Sequence, residues 1–145
     1  MRGDIVTIHA ERLKILTLTI DGIAFDCQVS TFNMNPNAKV GNQQYTYCSA
    51  GEGNNSFYEE TDDQYGLELK LFSDWRVNGI SDYLMSHNKD TAAFVLDHHE
   101  DLSDQHVRWS GNLIVLAPSV GGDTRTTETQ DITLPVIGIP AYDRV

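Results

Sequence analysis

The chain has 145 residues, with 10 Lys+Arg against 21 Asp+Glu and a formal net charge of −11. A single domain of this length buries about two-thirds of its unfolded surface, so it folds without a disulfide or metal staple. The charge balance, with no Lys/Arg cluster, excludes a chain built to grip phosphate backbones, and 40% hydrophobic residues exclude wholesale disorder.

No stretch approaches the ~18 consecutive apolar residues of a membrane span, so no membrane partner is expected. Residues 1–10 carry Arg2, Asp4 and His9 and no apolar run, so no signal peptide is expected. The two cysteines, Cys27 and Cys48, are too few for a secreted disulfide framework and read as reduced thiols. These features fit a product that stays or assembles in the cytoplasm.

The first predicted strand spans 13–19, where Leu18 and Ile20 alternate with Thr17 and Thr19. Asp21-Gly22 is a type I′ hairpin dipeptide. The return strand is predicted over 23–30, with Ile23, Phe25, Cys27 and Val29 on one face. Residues 31–63 then turn polar and read as a long protruding hairpin or loop. Within it Tyr45 and Tyr47 alternate with Gln44 and Thr46, residues 49–56 form a Gly/Asn-rich tip, and Phe57-Tyr58 begins the return. Loops this long inside a compact domain are uncommon and usually functional.

A strand is predicted over 65–72, with Tyr65, Leu67, Leu69 and Leu71 on one face. The single helix candidate is 80–87, with Ile80, Tyr83, Leu84 and His87 sharing a face and Asn78 or Ser81 as the cap. Further strands are predicted over 91–96, 105–117 and 126–137. Pro135 places the last at a free edge or bulge. Residues 138–145 read as a polar tail. About seven strands and one short helix predict a mainly β fold. Its expected form is an antiparallel β-sandwich or partly closed barrel with a flanking helix, as one domain over 1–145.

Charge is concentrated in two runs. Residues 51–68 hold Glu52, Glu59, Glu60, Asp62, Asp63 and Glu68 without a Lys or Arg, and Asp97, Glu100, Asp101 and Asp104 form the second run. Both lie in turn-like sequence and read as solvated loops. His98-His99-Glu100-Asp101 with His106 has metal-ligand residue types, but adjacent strand histidines point to opposite faces and the spacing fits no template. A solvated turn is the expectation, with no metal site. Glu59-Glu60 and Asp62-Asp63 are neighbours on a loop, not two carboxyls facing across a cleft, so acid/base catalysis is not expected. There is no nucleophile elbow or Walker loop, and Val120-Gly121-Gly122-Asp123 precedes a strand rather than a helix. Cys27 has no basic neighbour to lower its pKa. Trp75, Trp109 and Tyr83 read as core. No catalytic residue and no cofactor are predicted.

Five motifs then agree in order and spacing with one family. Phe72-Ser73-Asp74-Trp75 followed by Gly79-Ile80-Ser81-Asp82-Tyr83-Leu84, the strand 91–97, Trp109-Ser110-Gly111 with Ile114-Val115, Pro118-Ser119-Val120-Gly121-Gly122-Asp123, and Pro135-Val136-Ile137-Gly138 resemble the tail tube (major tail) proteins of long-tailed bacteriophages. The likeness covers the C-terminal half. His98-His99-Glu100-Asp101 departs from it, standing where shorter, Pro-rich turns are common. The resemblance implies a structural subunit of the virion tail, not an enzyme, assembled in the host cytoplasm. Subunits of this kind form rings, usually hexameric, that stack into a tube whose inner strands join in one barrel. The implied partners are further copies of the chain, the tape-measure protein, other tail proteins, and phage DNA that passes without specific binding.

On that expectation the acidic loop residues Glu52, Glu59, Glu60, Asp62 and Asp63 face the lumen or the next ring, and loop 31–63 with tail 139–145 makes inter-subunit contact. The alternatives are another phage ring protein, such as a tail terminator or connector, a β-sandwich carbohydrate-binding module using Tyr45 and Tyr47, and, last, a metal-dependent enzyme using His98, His99 and His106.

Overall fold

The computed structural model describes residues 8–48 and 55–145. Among the described residues, ten strands run in the order β1 (Leu16–Ile20), β2 (Ile23–Ala24), β3 (Val29–Asn35), β4 (Gln43–Tyr45), β5 (Ser56–Tyr58), β6 (Gly66–Phe72), β7 (Thr91–His98), β8 (Val107–Ile114), β9 (Thr129–Pro135) and β10 (Ala141–Arg144). The helix α1 (Ile80–Ser86) lies between β6 and β7. All pairings are antiparallel. They form a five-stranded sheet β10-β8-β7-β1-β2, a three-stranded sheet β3-β6-β9 and a separate ribbon β4-β5.

The two larger sheets share one core. Leu18 and Ile20 of β1, Phe94 and Leu96 of β7 and Leu113 of β8 meet Leu67, Leu69 and Leu71 of β6 and Leu134 of β9. Each such side chain contributes about 1.5–3 kcal/mol by leaving water. The period of two in β6 is therefore what sets its register: Leu67, Leu69 and Leu71 point inward, while Glu68 and Lys70 point out. The fold is sandwich-like and is not a closed barrel. The sheets meet through an isolated bridge between Leu113 and Val136, where the chain leaves β9 on its way to β10.

Several sequence expectations are corrected. β1 starts at Leu16, and residues 8–15 run outside any sheet with Ile8, Leu13 and Ile15 exposed. The hairpin turn forms as predicted, with Asp21 at φ 54° and Gly22 at φ 76°. The return strand does not run to Ser30. It stops after Ala24, a 3₁₀ turn at Asp26–Gln28 redirects the chain, and β3 joins the opposite sheet. Ile23 and Cys27 are consequently exposed, while Phe25 is buried.

Residues 31–35 belong to β3, so the projecting loop begins only after Asn35. The predicted polar tail 139–145 is instead β10, paired with β8 from Ala141↔Ser110 to Arg144↔Val107. Asp97 lies in β7 rather than in a solvated turn. Pro135 does lie on an edge strand, β9.

Helix α1 packs Ile80, Tyr83 and Leu84 into the core. Neither predicted residue caps it. Gly79 is the N-cap without a side-chain bond, and a Cβ there would stand 2.5 Å from the Asp74 carbonyl oxygen. Asp82 accepts the backbone N–H of Asn78, which holds the entry. Ser81 is buried and links the helix to β9: its hydroxyl donates to Gln130 Oε1 at 3.0 Å and accepts the Asp74 N–H at 3.0 Å. His87 stacks on Tyr83 with ring centroids 4.3 Å apart.

Candidate assembly surfaces

The ribbon β4-β5 is the first unusual surface. Its strands pair only with each other, and no described residue between 36 and 64 enters the core cluster. A lone two-stranded ribbon is marginal in water, so the connections at its base matter. Gly41 N–H donates to Glu59 O, Glu59 N–H to Asn42 O, and the Thr61 hydroxyl to Lys39 O. Gly41 is needed for that approach, because a Cβ would stand 2.6 Å from the Glu59 carbonyl oxygen. Asn37 Nδ2 donates to Gln64 O and fastens the base to the body. Along the ribbon Val40, Tyr45, Tyr47, Phe57 and Tyr58 are exposed, Tyr47 completely. The ribbon presents apolar and aromatic area without covering any of the body's core.

The acidic residues sit at its base. Glu59, Glu60 and Asp62 are exposed and Asp63 is half-buried. Glu59 Oε1 accepts Gln44 Nε2 at 2.7 Å. Glu52 lies outside the described residues. A shallow cleft brings Thr61, Asp62 and Asp63 against Gly138 and Ile139. The two segments expected to meet neighbouring subunits, the loop and the C-terminal region, therefore adjoin on one side of the molecule.

The second surface is the outer face of sheet β3-β6-β9. Thr31 and Asn33, Glu68 and Lys70, and Asp131 and Thr133 stand side by side across the three strands. Asn33 and Asn35 each donate to the Glu68 carboxylate, at 3.4 and 3.2 Å. Two carboxylates and one ammonium leave the face polar and slightly acidic. Both flanking strands, β3 and β9, have an unpaired edge among the described residues. Unpaired edges are templates for another strand unless something covers them. Next to β3, a groove runs between residues 13–16 and residues 29–32, with exposed Leu13 and Ile15 on its rim.

One charge of the second acidic run, Asp97, is paired, while Asp101 and Asp104 are exposed. Asp97 is 4% exposed and lies opposite Arg108 in the β7–β8 register. Arg108 donates to it from Nε at 2.8 Å and Nη2 at 2.9 Å, and His106 Nε2 stands 3.2 Å from Oδ2. The Arg108 hydrogen bonds hold the Asp97 carboxyl below its ordinary value against the opposing effect of burial. Asp143 of β10 lies on the other side of Arg108, so charge alternates across three strands. Burial pushes the His98 imidazole below its ordinary value, and its Nε2 accepts the Trp109 indole N–H. Asp74, bridged by Arg76 on the exposed β6–α1 loop, is lowered to about 2.

Of the aromatics read as core, Tyr83 is buried and Trp109 half-buried against Tyr65 and Tyr142. Trp75 is 42% exposed, held by an indole hydrogen bond to Glu128. No helix among the described residues is long and apolar enough to cross a membrane. Comparison with protein-family models, curated proteins and solved structures found no match.

Proposed function

We propose that the chain is a self-assembling structural subunit of a phage tail tube. Copies close into rings by strand addition at free sheet edges, and rings stack through the projecting ribbon and its neighbouring segments. The observation that carries the proposal is the ribbon β4-β5, with Tyr45, Tyr47, Phe57 and Tyr58 exposed and none of them packed in the core of their own subunit. Aromatic area of that kind on a marginal ribbon is stabilised when a second copy covers it. The five ordered motifs, the antiparallel sandwich with one flanking helix and the open edges of β3 and β9 support the same reading.

In the proposed tube, the polar face around Glu68 and Asp131 is the better candidate for the lumen. An uncharged-to-acidic wall repels phosphates and leaves DNA free to move. Glu59, Glu60, Asp62 and Asp63, at the ribbon base beside Ile139, suit the contact between rings. The tape-measure protein and DNA are the proposed lumenal partners, and the proposed location is the virion tail. Negative-stain microscopy of concentrated protein tests this: long tubes are expected. Closed rings that never stack would favour a terminator or connector.

The full exposure of Tyr47, with Tyr45 nearby, favours one other reading, a carbohydrate-stacking platform. It predicts retention on a polysaccharide column and no assembly.

A further inference from the structure

The turn between β7 and β8 holds a cluster that the proposed function does not draw on. Asp97, Glu100 and His106 each offer one ligand atom, and the three atoms lie within 4.8 Å of one another. They come from the end of β7, the turn, and the residue before β8, so the β7–β8 pairing draws them together. Two observations separate this cluster from ordinary surface acids. Asp97 is almost fully buried. Glu100 Oε1 is sealed from solvent and has no hydrogen-bond partner, and the same holds for His99 Nδ1 in the same turn. A sealed carboxylate oxygen is costly unless a proton or a cation meets it.

We propose that Asp97, Glu100 and His106 bind a borderline divalent cation of the zinc class. Two carboxylate oxygens and one imidazole nitrogen form a suitable donor set, with water completing the shell. Arg108 orients the site. Its Nε donates to Asp97 Oδ1 and its Nη2 to Oδ2, so on binding Oδ2 exchanges the Nη2 hydrogen bond for the ion while the Nε bond to Oδ1 persists. His106 Nε2 now faces Asp97 Oδ2 and must present its lone pair, so any proton it carries passes to solvent as the ion enters. His98 is not a ligand. Its Nε2 accepts the Trp109 indole N–H, which places its own proton on Nδ1, and it points to the opposite face of β7 from Asp97.

This site does not depend on the assembly reading, and equilibrium dialysis of the full chain against Zn²⁺ tests it. The experiment uses Cys27→Ser/Cys48→Ser protein, because both thiols are exposed. One saturable ion per chain is expected. Glu100→Gln and His106→Gln should each weaken it by about tenfold or more, while His9→Gln and His87→Gln leave it unchanged. Amide line-broadening by Co²⁺ on the unsubstituted site supplies the second measurement and should centre on residues 97–106, so a variant that fails to fold does not decide the matter. Absence of saturable binding, binding that survives both substitutions, or broadening centred elsewhere overturns the proposal.

Discussion

Asp97 and Arg108 face each other across β7 and β8 and share two hydrogen bonds, Nε to Oδ1 at 2.8 Å and Nη2 to Oδ2 at 2.9 Å. Asp143 of β10 lies beyond Arg108. The central hairpin and the C-terminal strand are thus joined by alternating charge as well as by backbone pairing. Because Asp97 is buried, removing Arg108 would leave a carboxylate that water cannot reach.

The pair makes stability depend on pH with a defined sign. The folded-state pKa of Asp97 lies below its unfolded value, mainly through the Arg108 hydrogen bond. Its contribution is present above the unfolded carboxylate value of about 3.9 and is lost as pH falls through the folded value. Asp97→Asn should lower the urea midpoint at about pH 7, and that difference should shrink as pH falls below the unfolded value and through the lowered folded one. Metal-free protein is required for the comparison. A pH-independent difference would contradict the assignment.

Ser81→Ala should cost about 1–3 kcal/mol in denaturant unfolding. The hydroxyl is fully buried between the Asp74 N–H and Gln130 Oε1, and Gln130 Nε2 is in turn committed to Ser119 O. Alanine leaves buried partners unmatched. An unchanged midpoint would show that the link between α1 and β9 is not a stabilising one.

Removing residues 141–145 separates a strand from a loose tail. β10 pairs with β8, Tyr142 packs on Trp109 at 5.0 Å, and Arg144 Nη2 donates to Asp104 O. Truncation should cost about 2 kcal/mol or more, given several lost backbone bonds of about 0.5–1.5 kcal/mol each. A dispensable tail would leave the unfolding midpoint in place.

Core and ribbon should respond in opposite ways. Leu69→Ala empties a buried site in β6 and should cost about 2–5 kcal/mol. Tyr47→Ser removes a fully exposed ring and should change subunit stability by no more than about 0.5 kcal/mol. Light scattering against concentration should nonetheless show that Tyr47→Ser needs more protein to assemble. Equal assembly would remove Tyr47 from the contact.

Sequence patterns were legible where one periodicity met one buried face. The leucines of β6, the Asp21-Gly22 turn and the apolar stripe of α1 all emerged because local spacing and tertiary burial agree there. They failed where packing overrode pattern. Phe25 and Cys27 alternate as a strand would, yet the chain turns between sheets at Asp26–Gln28. Ala141–Arg144 has no β-branched residue, and its strand is imposed by the open edge of β8. Asp97 looked like part of an acidic loop because its partner Arg108 is eleven residues away and meets it only through hairpin register. The ribbon was visible from its polar composition and alternating tyrosines. Its proximity to Ile139 was not, since that depends on the path of the chain after β9.

The central claim is assembly through the ribbon, and one comparison tests it most directly. Lys39 and Thr61 are joined at the ribbon base, so residues 40–60 can be replaced by a short Gly/Ser linker without cutting β3 or β6. Negative-stain microscopy of the full chain and of this deletion, at equal concentration, should show tubes from the first and only unassembled subunits from the second. The deletion should keep a cooperative unfolding transition, because none of the described residues in 40–60 belongs to the core. Normal tubes from the deletion, or no ordered assembly from the full chain at any concentration, would contradict the account.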